Sequence, residues 1–217
     1  EKALEKNTSN KYYYGRDFNI SRSENGFIKY QDNLGELVLP EPNLLGDHQL
    51  YNISTSIISS RKMFDVKDDS IKKGIQKIAL KGRLQEIKEG RLKDIVPDNR
   101  LVIDGGHNIS AALSIAKWVE SQNVEVNIIC GMLNDKDHVD FLRCFEGKIK
   151  SATLVDIPHQ ENSIDKKELK KKCTNLNINF RTAASIEQSI KSYSKYQNSI
   201  ILICGSLYLV GEVLNLN

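Results

Sequence analysis

Short apolar runs rich in β-branched residues alternate with helical patterns along the chain after Gly82. The runs have the length of single strands, and the apolar positions between them recur with the spacing of a helix face. The predicted strands are the runs LVID, VEVNIICG, SATLVDI, INF and SIILICG, and the predicted helices lie at about Asn108–Gln122, Lys136–Gly147, Asp165–Cys173, Ser185–Tyr196 and Leu207–Leu214. This alternation predicts an α/β fold, with a mostly parallel, Rossmann-like sheet covered by helices on both faces.

The chain before this region follows a different pattern. The stretch KYYYGRDF is aromatic and strand-prone, and GFIKYQDNLGELVLPEP predicts a hairpin that turns at Asn33-Leu34-Gly35. Helices are predicted from Asp47 onward and at about Asp68–Ala79, with apolar faces formed by Leu50, Ile53, Ile57, Ile58, Ile71, Ile75 and Ile78. We therefore predict two parts, residues 1–80 and residues 81–217, of which the first is too small and irregular to be a complete domain.

The composition and net charge of the chain indicate which kinds of binding partner are not favoured. The 217 residues carry a net charge of +3, with 27% charged and 40% hydrophobic residues, which is an ordinary balance for a globular chain with a buried core. This charge does not favour a nucleic-acid or membrane partner, and the lysine run DKKELKKKC lacks interleaved aromatic residues. The four cysteines form no C-x-x-C pair, so no zinc or redox motif is indicated. We expect a cytoplasmic protein whose Cys130 and Cys204 are buried, reduced thiols.

The stretch LVIDGGHNISAALS places a carboxylate, two glycines and an imidazole between a strand and a helix. Asp104 falls at the carboxyl end of the predicted strand, which is the edge where open α/β sheets bind ligands. Asn108 is a suitable cap for the helix that follows, and His107 lies beside the N-terminus of that helix, where N–H groups favour anions. Two interpretations remain open. Either Asp104 binds a ribose and the helix end binds an anion, or Asp104 and Asn108 only cap the helix and His107 is a turn residue.

Three other stretches carry polar groups of interest. GDHQLYN opens a helix with His48 and Asn52 four residues apart on one face, GRLQ places Arg83 directly after a glycine, and CGSLYLVGEVL places Ser206 between a strand and a helix. A guanidinium can bind phosphate oxygens with two parallel hydrogen bonds, and Ser206 can cap its helix or hold an anion there. The G-x-G-x-x-G fingerprint of dinucleotide-binding dehydrogenases does not occur in these corners. Several strands thus end in small or polar residues, which predicts a binding site at one sheet edge.

Taken in order, these stretches resemble the folylpolyglutamate synthase/dihydrofolate synthase family of the Mur ligase superfamily. The matching pieces are YYYGRDF, LLGDHQLYN, GRLQ, IDGGHN, GMLNDKD and CGSLYLVGEVL, which span nearly the whole chain from Tyr12 onward. One departure is Gly106, where the family usually has alanine. The resemblance implies a Mur ligase C-terminal α/β domain preceded by a remnant of the central ATPase domain.

The resemblance also implies a reaction in one-carbon metabolism. ATP phosphorylates a folate or dihydropteroate carboxylate, and the amine of L-glutamate attacks the acyl phosphate to give an amide, ADP and phosphate. By motif matching, Asn52 is implied to contact the adenine side of ATP, Arg83 the phosphates and Asp104 the ribose. His107 and Ser206 match positions near the incoming glutamate. The family further implies a monomer that needs Mg²⁺.

The phosphate loop of the family, G-x-x-x-x-G-K-[ST], is absent from these 217 residues, since Gly147-Lys148 is followed by Ile149. The magnesium ligands and the modified lysine of the family belong to the same N-terminal part, and EKALEKN matches a point just past that lysine. We therefore expect no metal ligands here, and a chain inactive without a separate or preceding N-terminal ATPase half. The alternatives are a non-catalytic Mur-ligase-like binding module, or a fragment of a ligase acting on cell-wall precursors. GSLYLVGEVL and GDHQLYN resemble the folate branch more closely than the cell-wall branch.

Overall fold

The computed structural model describes residues 10–23, 25–42, 44, 46, 48–64 and 66–217. The predicted helix end in EKALEKN and the predicted helix start at Asp47 lie outside these described residues. The chain divides into two compact units, Glu1–Ala79 and Leu80–Asn217. None of the helices in the described part is long and apolar enough to cross a membrane.

The first unit contains an antiparallel sheet with two helices. Its strands are β1 (Phe18–Arg22), β2 (Ile28–Asp32) and β3 (Gly35–Leu39), paired in that order, and its helices are α1 (His48–Met63) and α2 (Asp68–Lys77). Alternate strand residues and the apolar helix faces form one core cluster, as the period of two in strands and of 3.6 in helices requires. Inside this unit the Arg61 guanidinium lies 2.9 Å from the buried Asp32 carboxylate, which also accepts a hydrogen bond from the Tyr30 hydroxyl.

The sequence patterns of this unit are mostly confirmed. The hairpin turns at Asn33-Leu34, and β2 and β3 pair antiparallel with Asp32 opposite Gly35. The predicted strand in KYYYGRDF is wrong over most of its length, because a turn occupies residues 15–17 and the strand starts only at Phe18. The second helix ends at Lys77, so Ile78 packs against the core from just beyond the helix.

The second unit is the predicted α/β domain. Its sheet order is β4-β5-β9-β6-β7-β8, in which β4 pairs antiparallel and all other neighbours pair parallel. The strands are β4 (Gln85–Ile87), β5 (Arg100–Asp104), β6 (Val126–Cys130), β7 (Ser151–Leu154), β8 (Phe180–Thr182) and β9 (Ile200–Cys204). The helices are α3 (Arg91–Asp94), α4 (Ile109–Glu120), α5 (His138–Arg143), α6 (Lys166–Lys172), α7 (Ile186–Ser192) and α8 (Leu207–Leu216).

Two core clusters cover the two faces of this sheet. Residues of α4, α5 and α6 pack on one face, and residues of α3, α7 and α8 pack on the other. The central strands β5, β6 and β9 are buried almost throughout, because helices cover them on both sides. This explains why these strands read as continuous apolar runs rather than as alternating patterns.

The parallel sheet and its covering helices confirm the predicted fold class. The short strand β4 and the single-turn helix α3 were not predicted, because three- and four-residue elements are too short to show a period. The predicted helices after β6 and β8 are longer than the observed α5 and α7, which end at Arg143 and Ser192. The differences affect element ends and leave the order of the larger elements as predicted.

Cysteine burial agrees with the sequence interpretation. Cys130, Cys173 and Cys204 are free and buried, whereas Cys144 is half-buried. A hydrogen bond with Cys130, together with burial, raises the pKa of the Cys204 thiol well above its usual value. Burial raises the pKa of Cys173 from 9.0 to about 11. The Cys173 and Cys204 thiols therefore stay protonated in the folded chain at neutral pH.

The raised pKa of Cys173 makes stability depend on alkaline pH. Below about pH 9 the thiol is protonated in both states, but between pH 9.0 and about 11 only the unfolded chain releases this proton, so stability falls as pH rises. We predict that the unfolding free energy of Cys173→Ala declines less steeply over this range than that of the wild type, as measured by urea unfolding. Cys144→Ala is the matched control, because its thiol is half-buried and should alter the slope less. An unchanged slope in Cys173→Ala would contradict this account.

Candidate functional site

Three parallel strands end side by side at one edge of the larger sheet. In register, Asp104 of β5 pairs with Cys204 of β9, and Cys204 also pairs with Cys130 of β6. The chain leaves β5 toward α4 on one face and leaves β9 toward α8 on the other face. This divergence is a topological switch point, where open α/β sheets form their ligand crevice. The predicted convergence of polar strand ends is therefore confirmed for the corners after β5 and β9.

The Asp104 carboxylate joins two loops at this edge. One oxygen accepts the Gly106 N–H at 2.7 Å, and the other accepts the Leu84 N–H at 2.9 Å. The residue is only 3% exposed. The carboxylate therefore stabilises the backbone of two separate loops, at Leu84 and at Gly106, and its contact with a ribose stays a prediction.

Arg83 lies between Gly82 and Leu84 in the loop that Asp104 binds. Its Nη1 donates to the Gly82 carbonyl at 3.3 Å, and a Cβ at Gly105 would lie 3.1 Å from that nitrogen. Within the described part of the chain, Arg83 forms no ion pair with a carboxylate. A half-buried guanidinium without a carboxylate partner, beside a glycine corner, is suited to bind an anion.

One ring nitrogen of His107 contacts the backbone of its own corner. Its Nδ1 lies 3.0 Å from the Gly105 carbonyl, which can only accept, so Nδ1 carries the proton and Nε2 is the remaining site. The pKa of Asp135 is lowered by a hydrogen bond from Lys136 first, and by the charge of His107 to a smaller extent. The loop after β6 therefore lies within electrostatic range of the His107 corner.

Ser206 and Asn108 both cap helices at this edge. The Ser206 Oγ accepts the Tyr208 N–H at 3.1 Å and begins α8, and the Asn108 Oδ1 accepts the Ala111 N–H at 2.9 Å and begins α4. These bonds confirm the predicted caps. The N-termini of two helices thus point to one sheet edge, and the remaining N–H groups of their first turns favour a negative charge there.

Gly205 allows the two corners to touch. Its N–H donates to the Gly106 carbonyl at 3.0 Å, and its φ is +107°. An added Cβ would lie 2.8 Å from both the Cys130 Sγ and the Gly131 carbonyl oxygen. Only glycine combines this backbone conformation with this close approach.

Asn52 belongs to the first compact unit, on the exposed face of α1. Its Nδ2 donates to the Gln49 Oε1 at 3.1 Å, and the Gln49 Nε2 lies 2.9 Å from the His48 Nε2. His48 and Asn52, which the sequence places four residues apart on one helix face, are thus connected through the side chain of Gln49. Asp47 lies outside the described residues.

The structure thus brings Arg83, Asp104, His107 and Ser206 to one edge of the second unit, while Asn52 stands in the first. Sequence reasoning missed Leu84, which is bound to Asp104, and the exposed Leu207, whose side chain approaches Gly105. Each follows a motif glycine by two positions, which is the only signal that the sequence offered for them.

Comparison with known proteins identifies the family of this chain. Residues 92–216 match the family described as the C-terminal domain of dihydrofolate synthetase. The chain belongs to this family. It is 26% identical over 211 residues to a probable dihydrofolate synthetase of Schizosaccharomyces pombe, a match that covers 85% of this chain and 48% of the yeast protein. The chain thus spans about half the length of the curated relatives it matches.

Solved structures of dihydrofolate and folylpolyglutamate synthases share the fold. Folylpolyglutamate synthase of Mycobacterium tuberculosis, solved with ADP and AMPPCP, superposes with a TM-score of 0.80 at 18% identity, covering 94% of this chain and 48% of that one. FolC of E. coli, solved with DHPP and ADP, gives 0.76 at 22% identity, covering 93% and 46%. At these identities the likeness establishes the architecture of this dihydrofolate synthetase C-terminal domain, and the roles of its residues rest on its own geometry.

A divalent metal does not fit the described residues by themselves. Within the part of the chain that the structure describes, no three His, Cys, Asp or Glu side chains cluster closely enough to hold a metal ion. The Asp104 carboxylate at this edge accepts two backbone N–H groups.

The contact between the two corners yields a stability prediction. Gly205→Ala should lower the unfolding free energy by about 1–3 kcal/mol or more, because the new methyl group is placed in a left-handed conformation against Cys130 and Gly131. Gly211→Ala in α8 is the matched control, since an added Cβ there meets open space and should stabilise the helix by up to about 1 kcal/mol. Urea unfolding of both variants checks this. A Gly205→Ala variant as stable as the wild type would show that the corner is loosely packed.

Proposed function

We propose that this chain is the nucleotide- and glutamate-contacting C-terminal part of a folate–glutamate ligase. The reaction would be ATP-dependent addition of L-glutamate to a folate or dihydropteroate carboxylate through an acyl phosphate. The observation that carries the proposal is that Arg83, His107 and Ser206 lie in neighbouring corners at one edge of the larger sheet, in a member of the dihydrofolate synthetase family. The first compact unit is accordingly proposed to be the end of a central ATPase domain.

The phosphate role is assigned to Arg83 and the two helix N-termini. Arg83 supplies a permanent positive charge with several N–H donors, and the first turns of α4 and α8 supply backbone N–H groups. Such fixed donors would stabilise the charge that builds up on phosphoryl oxygens as the acyl phosphate forms.

The adenine role is assigned to Asn52. Its Nδ2 uses one hydrogen for Gln49, which leaves the second hydrogen and the Oδ1 of an exposed side chain. A side-chain amide can bind adenine through N7 and the 6-amino group with this donor–acceptor pair. The bond to Gln49 would fix the orientation of the amide before the base arrives.

His107 and Ser206 are proposed to handle the incoming glutamate. The amine must lose a proton to form the amide, and the outward His107 Nε2 is an acceptor when the ring is neutral. The Ser206 Oγ accepts from Tyr208, so its own O–H can donate to a carboxylate of glutamate. Positioning the two reactants and orienting their charges are the contributions that these residues would make.

A non-catalytic binding module is the second candidate. It is favoured by one observation, namely that the 217 residues contain no G-x-x-x-x-G-K-[ST] loop to cradle a triphosphate. The folate-ligase proposal accounts for the same observation by assigning that loop, and the magnesium ligands, to an N-terminal ATPase half. The two candidates differ in whether such a half restores the reaction.

We predict that the purified chain alone shows no folate- and glutamate-dependent release of ADP from ATP. Without a phosphate loop, the triphosphate lacks most of its binding groups and the reaction lacks its positioning. Addition of the N-terminal ATPase half of a dihydrofolate synthetase should produce glutamate ligation, measured by mass spectrometry of the folate product. Turnover by the chain alone would refute the partial-site proposal, and no turnover with any supplied half would favour the binding module.

The Arg83 assignment gives a second prediction. Arg83→Lys keeps the charge but removes the two-pronged guanidinium, so ADP binding should weaken by about tenfold or more. Arg143→Lys is the control, because Arg143 is exposed on α5 and pairs with Asp140. Titration of each chain with ADP, followed by backbone amide chemical shifts, measures the difference. Equal affinities of the two variants would remove Arg83 from the nucleotide site.

A further inference from the structure

Leu84 adopts a backbone conformation that its side chain disfavours. Its φ is +44°, in the left-handed region that bulky residues rarely occupy. Its side chain is nevertheless 1% exposed and packed in the core cluster beside α4. A strained residue persists only where its surroundings over-determine the conformation, and such residues concentrate at functional sites.

Several hydrogen bonds hold this conformation in place. The Leu84 N–H is bound by Asp104 at 2.9 Å, the Gly82 N–H by the Gln85 Oε1 at 2.9 Å, and the Gly82 carbonyl by the Gly105 N–H at 2.8 Å. Hydrogen bonds thus hold the backbone of Gly82 and Leu84, the two neighbours of Arg83 in sequence.

The same Asp104 carboxylate also binds the Gly106 N–H, one residue before His107. Its two oxygens therefore connect the Arg83 loop to the corner that presents His107. Since Asp104 is only 3% exposed, its carboxylate accepts hydrogen bonds mainly from protein groups rather than from solvent. This arrangement differs from that of a residue whose only role is to contact a ligand.

We propose that Asp104 is a positioning residue: it holds Leu84 in the left-handed conformation and thereby fixes the position of Arg83 relative to the corner that carries His107. The inference rests on the proposed function, because it takes Arg83, which Asp104 positions, to bind the phosphates of a nucleotide. It predicts that loss of the carboxylate acts on a nucleotide chiefly through Arg83. A pure ribose contact would act through the ribose hydroxyls instead.

The first test needs no nucleotide and uses the 217-residue chain. In Asp104→Asn, the side-chain NH₂ faces one of the two backbone N–H groups, so amide exchange at Leu84 or Gly106 should accelerate by at least about tenfold. Asp165→Asn is the matched control, because Asp165 also accepts two backbone N–H groups, from Lys167 and Glu168, and asparagine caps a helix equally well. Unchanged exchange at both positions would overturn the proposal.

A measurement on the wild type covers the case in which Asp104→Asn fails to fold. Scalar couplings across hydrogen bonds should connect the Leu84 and Gly106 amide nitrogens to the Asp104 carboxyl carbon, and the Leu84 coupling constants should report a positive φ. Absence of the couplings together with a negative φ at Leu84 would overturn the proposal without any variant.

The second test separates positioning from ribose contact. Asp104→Asn should weaken binding of ADP and of 2′,3′-dideoxy-ADP by the same factor, and it should have little further effect in an Arg83→Ala background. A loss confined to ADP, or one that persists undiminished without Arg83, would overturn the proposal. If the wild type binds neither nucleotide, the proposed function fails on its nucleotide side, while the exchange and coupling measurements still decide whether Asp104 orders the loop.

Discussion

Backbone hydrogen bonds between β9 and its two neighbours determine the candidate site. They place Cys204 level with Asp104 on one side and with Cys130 on the other. A shift of one residue in either ladder would turn every side chain of that strand to the opposite face and separate the ends of the strands. The apolar, doubly covered strands resist such a shift, because each face must fit its own core cluster.

With the strands in that register, the loops that follow them pack so closely that only glycine fits at two positions. Gly205 lies so close to Cys130 and Gly131 that no side chain fits, and its N–H reaches the Gly106 carbonyl. Gly105 leaves room for Arg83 and Leu207 in the same way. The absence of side chains at these positions brings the polar groups of neighbouring corners together, while Ser206 and Asn108 start two helices toward opposite faces.

A single carboxylate, that of Asp104, holds the backbone next to the candidate site residues. Its hydrogen bonds stabilise the strained Leu84 and the Gly106 turn, and the charged groups of the crevice lie on the residues next to these two. The chain belongs to the dihydrofolate synthetase family and spans about half the length of the curated relatives it matches. Among the described residues, this sheet edge carries a guanidinium, an imidazole, a hydroxyl and two helix N-termini, and it lacks a side-chain cluster that could hold a metal ion.

The sequence by itself determined the order of the large elements, the parallel sheet and the placement of Asp104, Asn108 and Ser206 at strand ends. It did so because long apolar runs and capping residues act locally and leave a readable period. It could not predict β4, the left-handed Leu84, or the link from Asn52 to His48 through Gln49. These depend on which segments meet in space: β4 pairs with a strand about fifteen residues further along the chain, and the Leu84 conformation is held by a carboxylate twenty residues away in sequence. Only the tertiary structure shows that both Asp104 oxygens accept backbone N–H groups. A hydrogen bond between residues distant in sequence leaves no periodic pattern of residue types.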